Sequence, residues 1–257
     1  MNILAEIVEK LKPRLENRKR ILPMEMLAEQ AAQAPARPKF AEAFCGERLH
    51  VIAELKKASP SKGLIRKDFN VQSLAAELAE NGATALSVLT EPYYFLGSEE
   101  NLSIAAKTVS IPLLRKDFVF DEYQILEAKA LGASCVLLIA AMLPAERFMQ
   151  LLEYAHVQGL DVLGEAHTED ELETAIKADL VGVNARDLRT FGTSLERSAE
   201  LIRTLPRNTI SIAESAVSNH ADMDMMAAAG AKGFLIGETL MRAEHPGLKL
   251  KELLSCC

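Results

Sequence analysis

Between Val51 and Leu254 the chain alternates short apolar runs with amphipathic helical runs, and the alternation repeats eight times. The apolar runs are Val51 to Leu55, Ala85 to Leu89, Pro112 to Leu114, Cys135 to Ala140, Asp161 to Glu165, Leu180 to Val183, Ile210 to Ala213 and Gly233 to Ile236. Helical patterning follows each of them, near residues 71–81, 99–108, 121–131, 144–158, 168–178, 194–204, 218–229 and 247–254. Runs this continuously apolar do not suit a sheet with one wet face, so the strands must be covered on both sides. Eight such βα units point to an α/β fold closed as a (β/α)8 TIM barrel, with a doubly wound open sheet as the alternative. Residues 1–48 read as an N-terminal helical extension, broken at Pro13, Pro23, Pro35 and Pro38, and residues 49–257 as the barrel of one single domain. Within the extension Ile3, Ile7 and Leu11 recur at helical spacing.

The extension lacks the apolar core of a signal peptide, and no later run reaches transmembrane length. A net charge of -7 argues against a broad surface for nucleic acid or an acidic membrane, and leaves a small molecule held in a local pocket as the expected partner. Of the four cysteines, Cys45 and Cys135 are isolated and Cys256 and Cys257 close the sequence, a spacing of neither a metal site nor a disulfide framework. That usage suits a reducing cytoplasm.

A barrel carries its chemistry where strands end and βα loops begin. There the sequence places Glu54, Lys56 and Ser59 after the first strand, Glu91, Tyr93, Tyr94, Phe95 and Gly97-Ser98 after the second, and Arg115, Lys116, Asp117 and Phe118 at the third. Glu165 and His167 follow the fifth, Asn184, Arg186 and Asp187 the sixth, Glu214 and Ser215 the seventh, Gly237 and Glu238 the eighth. One charged loop residue is ordinarily a solvated one; charges at one end of most strands suggest a site. Lys56 and Lys116 are expected at the same mouth, where a lysine serves as acid, Schiff-base nucleophile or anion clamp. Glu54, Glu165 and Glu214 hold those lysines charged, or act as bases if burial raises their pKa. Acids and bases in this mixture suit proton transfers around a carbonyl more than metal hydrolysis. His167 has no second histidine or cysteine at metal spacing and is expected behind the site or at the surface. The small residues after the seventh and eighth strands allow close approach of an anion. The aromatic cluster is read as core packing or as a wall for a planar ligand.

Taken together, Ala53-Glu54-Leu55-Lys56-Lys57-Ala58-Ser59-Pro60-Ser61-Lys62-Gly63, Ser87-Val88-Leu89-Thr90-Glu91, Phe95 with Gly97-Ser98, Leu114-Arg115-Lys116-Asp117-Phe118, Gly182-Val183-Asn184 with Arg186-Asp187-Leu188, Ala213-Glu214-Ser215 and Leu235-Ile236-Gly237-Glu238 resemble the indole-3-glycerol-phosphate synthase family of tryptophan biosynthesis. The resemblance runs in order along nearly the whole chain. It implies a carboxy-lyase that closes 1-(2-carboxyphenylamino)-1-deoxyribulose 5-phosphate to indole-3-glycerol phosphate, with loss of carbon dioxide and water and with no cofactor or metal.

The resemblance further implies Lys116 as general acid toward the substrate ketone and Glu165 as base or partner of the positive aniline nitrogen. Lys56 would bind the carboxylate or phosphate and serve the dehydration, with Glu54 beside it. Asn184, Glu214 and Ser215 would hold substrate hydroxyls, and Ser59 and Arg186 would contact the substrate. The backbone at Ser215, Ala216, Gly237 and Glu238 would bind phosphate, and Phe95, Phe118 and Leu188 would wall the anthranilate ring. Ala216 and Ala185 stand where the family pattern has Gly and often Asn. A monomer is expected. Another phosphosugar barrel enzyme, such as a phosphoribosylanthranilate isomerase, or a non-catalytic phosphometabolite binder are the alternatives.

Overall fold

The alternation along the chain becomes a closed ring in space. The computed structural model describes residues 3–46, 48–186 and 192–255. Its parallel barrel consists of β1 (His50–Leu55), β4 (Ala85–Leu89), β5 (Leu113–Lys116), β6 (Cys135–Ile139), β7 (Asp161–Ala166), β8 (Leu180–Asn184), β9 (Ser211–Glu214) and β10 (Gly233–Ile236), with β1 closing against both β4 and β10. A small antiparallel hairpin, β2 (Ala58–Ser59) with β3 (Gly63–Leu64), stands on the first βα connection. The outer ring is α3 (Val71–Glu80), α4 (Glu99–Thr108), α5 (Glu122–Ala130), α6 (Ala145–Val157), α7 (Glu169–Ala175), α8 (Leu195–Thr204), α9 (His220–Ala229), α10 (Glu238–Arg242) and α11 (Pro246–Leu254). Before the barrel come α1 (Ile3–Ile21), α2 (Met24–Gln33) and a 3-10 turn, Ala41–Phe44. Among the described residues no helix is long and apolar enough to cross a membrane.

Strand alternation sorts the core into two parts. Outward residues such as Val51, Ala53, Leu55, Val88 and Val181 pack under the helices. Inward residues stack in layers drawn from alternate strands. One layer is Ile52, Leu114, Leu163 and Ile212, all fully buried. Two residues further along the same four strands, β1, β5, β7 and β9, the layer is Glu54, Lys116, Glu165 and Glu214. The charged ring therefore lies directly on an apolar floor.

Three sequence expectations shift. Strand β5 runs from Leu113 to Lys116, not from Pro112 to Leu114: Pro112 has no N–H to give the ladder and joins it only as an acceptor from Leu86 N, at 3.0 Å. Strands β7, β8 and β9 extend through Ala166, Asn184 and Glu214, so their polar ends sit in sheet hydrogen bonding instead of in loops. Pro13 does not break α1, which passes through it. Leu4, Ile7, Leu11 and Leu15 hold the buried face, whereas Pro13 is on the exposed face, away from the packing that holds the helix.

The extension closes both ends of the barrel. α1 lies across the mouth, tied by Arg14 and Arg18 to Glu99 at 2.7 and 2.5 Å and by Tyr94 Oη to Glu6 at 2.5 Å. α2 packs on α5 through Leu27, Ala31, Tyr123 and Leu126. At the opposite end Phe40 and Phe44 plug the strand starts, and Ala41 N donates to Asp161 Oδ2 at 3.0 Å.

Candidate active site

At the mouth a cavity of about 420 Å³ is lined by Glu54, Lys56, Ser59, Phe95, Lys116, Phe118, Glu165, Asn184, Arg186, Glu214, Ser215, Ala216, Gly237 and Glu238. Every residue given a catalytic, substrate-binding or phosphate-binding role by the resemblance is in that wall except Leu188, which lies outside the described residues, as does Asp187.

The charged layer is asymmetric. Lys116 Nζ lies 2.6 Å from Glu165 Oε2 and 3.0 Å from Glu214 Oε2, while Lys56 pairs with Glu54. Two buried carboxylates, Glu165 and Glu214, thus compete for the one Lys116 ammonium. Burial pushes Glu214 up, the neighbouring Glu165 adds to it, and Lys116 only partly offsets them, so its carboxyl is raised well above the ordinary range. Burial also acts on Glu165, but there Lys116, His167 and a hydrogen bond from Asn184 prevail and hold the carboxylate low. Lys116 is likewise buried, yet Glu165, Glu214 and Glu54 outweigh its desolvation and keep it an ammonium. One carboxylate, one ammonium and one protonated carboxyl are side by side.

Two glycines make room for this ring. A Cβ on Gly182 would fall on the Glu214 carboxyl, and one on Gly237 would fall on the Glu54 carboxyl and come within 2.9 Å of Lys56 Nζ. Gly237 keeps an ordinary negative φ of -118°, so here glycine is required for space and not for a left-handed turn. It also begins α10, whose first N–H groups have no partner within the helix.

After β9 the chain turns through Ser215 and Ala216, with φ of 67° and 63°. Ser215 Oγ donates to Asn184 Oδ1 at 2.8 Å, which also accepts from Arg186 N at 3.0 Å. Ser215 and Ala216 both line the cavity, as do Gly237 and Glu238. For alanine a left-handed backbone is strained. Ala216→Gly is therefore expected to stabilise the protein by roughly 0.5–1 kcal/mol, after the larger unfolded-state entropy of glycine is deducted, read as a higher urea midpoint with turnover retained. Ala185 contributes only backbone, its N–H donating to Glu214 O at 2.9 Å.

Several junction residues turn away from the mouth. Arg115 points outward beneath α5. Glu91 is fully buried and accepts from the N–H groups of Tyr93, Tyr94 and Phe95 at 2.9, 2.7 and 2.9 Å, so it shapes the loop that presents Phe95. The aromatic cluster divides accordingly. Phe95 and Phe118 face each other at 6.1 Å in the cavity wall, Tyr94 binds α1, and Tyr93 is half-exposed. His167 stands behind Glu165. Glu238 directs its carboxylate to Arg242 at 2.9 Å and Lys62 at 3.7 Å, leaving its backbone for the cavity. Sequence reasoning missed Ile3, Leu4 and Ile7 of α1 and Leu137 and Ile139 of β6, which complete an apolar side. The helical spacing of Ile3 and Ile7 was the available signal; nothing local said that this face covers a ligand.

The protonated Glu214 has a consequence for stability. Its folded pKa lies above its unfolded value, so its contribution is full below the ordinary glutamate range and is lost as pH rises toward about 8. The urea midpoint of the wild type is expected to fall across that window, and Glu214→Gln, which mimics the neutral form, to flatten the fall.

A family model for indole-3-glycerol phosphate synthase matches residues 4–253. Proteins of that name from Campylobacter jejuni subsp. jejuni and Alkaliphilus metalliredigens are 46% and 42% identical to this chain; each match covers 98% of it, and 100% and 98% of the relatives. Solved structures of a tryptophan synthase alpha-subunit variant from Pyrococcus furiosus and of 3-hexulose-6-phosphate synthase from Salmonella typhimurium superpose with TM-scores of 0.63 each, at 18% and 13% identity. Those matches cover 80% of this chain and 97% and 96% of theirs, and they show a shared barrel fold. With the model spanning the barrel and α1, and relatives matched over their full length, the chain belongs to the indole-3-glycerol phosphate synthase family.

Proposed function

We propose a division of labour among the mouth residues for the reaction of this enzyme, ring closure of 1-(2-carboxyphenylamino)-1-deoxyribulose 5-phosphate to indole-3-glycerol phosphate with decarboxylation and dehydration, in tryptophan biosynthesis. The observation that carries it is the Lys116 ammonium held between a charged Glu165 and a neutral Glu214 on the cavity floor. The carboxyl-bearing ring carbon attacks the ketone, the electron pair moves to the ketone oxygen, and Lys116 gives that oxygen its proton. Positive charge then builds on the aniline nitrogen, and Glu165 opposes it. The bond to the carboxylate breaks and returns its electrons to the ring. Nitrogen next expels the new hydroxyl, which leaves as water with a proton from Lys56, the partner of Glu54, and Glu165 takes a proton from the methylene carbon beside nitrogen, whose C–H electrons form the indole double bond.

The remaining residues hold the two ends of a flexible substrate together. Phosphate sits on the backbone of Ser215, Ala216, Gly237 and Glu238. Asn184, Glu214 and Ser215 bind hydroxyls, and Ser59 and Arg186 contact the substrate from the rim. Phe95 and Phe118 wall the ring, together with Ile3 and Ile7 of α1; the expected contact from Leu188 lies outside the described residues. No cofactor or metal is assigned, since ammonium groups supply the acids and the ring nitrogen supplies the electrons. A monomer is proposed as the working unit, and light scattering on the purified protein tests this. Free Cys45 and Cys135 fit action in the cytoplasm.

Purified protein given the substrate is expected to produce indole fluorescence with release of one carbon dioxide per turnover. A product that retains its carboxylate would overturn the assignment in favour of an isomerase.

A further inference from the structure

His167 follows β7 with its side chain only 10% exposed. Its Nδ1 lies 3.2 Å from Glu171 Oε2, and its backbone N–H donates to the same oxygen at 2.7 Å. Glu171 is itself fixed in the first turn of α7, where its N–H donates to the capping Thr168 Oγ1 at 3.3 Å. The other ring nitrogen, Nε2, is buried without a hydrogen-bond partner and stands 3.5 Å from Glu165 Oε1. The mechanism above makes no use of this ring.

We propose that His167 is a positioning residue for the ring closure: gripped between Glu165 and Glu171 as an imidazolium, it fixes the rotation and charge of the Glu165 carboxylate. A neutral imidazole carries one N–H and one lone pair. Set between two carboxylates, it would point that lone pair at an oxyanion whichever tautomer it adopted, and only the doubly protonated ring offers a donor to both. The groups facing it agree in sign. Glu165 comes from β7, Glu171 from α7 and Glu214 from β9, with the Lys116 ammonium of β5 beyond Glu165. Burial disfavours the charged ring, but these carboxylates outweigh it and raise its proton affinity. Glu165 then has a cation at each oxygen, Lys116 at Oε2 and His167 at Oε1, so the carboxylate cannot swing away from the aniline nitrogen.

This inference rests on Glu165 being the carboxylate that faces that nitrogen. The test uses the whole protein in three forms: wild type, His167→Gln and Glu165→Gln. His167→Gln keeps a donor but not the charge; kcat is expected to fall about 10- to 100-fold, the size of one charge-assisted hydrogen bond, with KM nearly unchanged. The decline of wild-type kcat at pH values above the ordinary histidine pKa should be absent from this variant's profile. In nitrogen NMR of the wild type, His167 should carry protons on both nitrogens at pH 7, and Glu165→Gln should lower its titration midpoint. A variant at position 167 with wild-type kcat and pH profile, beside an inactive Glu165→Gln, would overturn the role of His167 alone. Wild-type turnover in Glu165→Gln would remove the assignment of Glu165 and this one with it. If His167→Gln does not fold, the wild-type titration decides: a ring already neutral at pH 6 refutes the proposal.

Discussion

Lys116→Met lowers turnover by roughly 10²–10⁴-fold, the range for loss of a positioned general acid, and does so without loss of substrate binding. Methionine matches the apolar stem of lysine but offers no proton to the ketone oxygen. Binding is expected to survive because the proposed phosphate and ring contacts, at the turn of Ser215 and Ala216 and at Phe95 and Phe118, are left in place. Single-turnover indole fluorescence separates the two quantities, and a variant that keeps even a tenth of wild-type kcat would remove Lys116 from the role. The same substitution leaves Glu165 and Glu214 facing each other without their shared cation. Such a pair retains one proton between them, and its folded-state pKa values rise above the unfolded ones. Stability from a raised carboxyl is present at low pH and lost as pH climbs, so the variant's urea midpoint is expected to be higher at pH 5 than at pH 8, more steeply than in the wild type.

The second large effect is on stability. Arg115→Leu should cost about 3–5 kcal/mol, because it removes one partner from a buried ion network and strands the others. Arg115 is fully buried between the barrel and α5. Its guanidinium meets Asp117 Oδ2 at 2.9 Å, Glu127 Oε2 at 2.7 Å, Gln124 O at 2.8 Å and Thr90 Oγ1 at 3.1 Å. Glu127 in turn holds Arg18 of α1, and Arg18 holds Glu99 of α4. Leucine would take the buried cation from Asp117, which keeps only Thr90 Oγ1 and the Phe118 N–H, leave Glu127 to Arg18 alone, and loosen the helix that roofs the mouth. For a chain of this length the melting temperature should drop by roughly 6–20 °C, followed by circular dichroism. Adding Asp117→Asn should recover part of the loss by neutralising the carboxylate that has lost its cation; a double variant no more stable than the single one would show that the effect is packing alone.

Arg115 and Lys116 are adjacent in sequence and opposite in fate, and they show where reading the sequence succeeds. Alternation along β5 dictates that one faces the helices and the other the barrel interior, and the pairing of Lys116 with Leu89 in the ladder fits that alternation. The same rule put Ile52, Glu54 and Lys56 on one face, as found. Glu91 was harder: its position at a strand end resembles that of Glu54, but three backbone N–H groups of its own loop capture it, and loop geometry is not readable from spacing. Pro13 was misread because propensity describes an isolated helix, whereas α1 is held by the face it buries.

Taken alone, the sequence determined the eight βα units, the closed barrel they imply, the apolar and polar faces of each strand, and the motif set at one end of them, because these follow from periodicities of two and 3.6 residues and from local residue chemistry. Only the tertiary structure decided that Glu54, Lys116, Glu165 and Glu214, from four strands far apart in the chain, form one layer with fewer cations than carboxylates. Protonation follows from that count and from burial, neither of which is a local property. The same holds for Gly182 and Gly237, which are needed because a carboxylate from another strand occupies the space of their missing Cβ. It also holds for α1, whose apolar face became one side of the cavity at the mouth through its docking there.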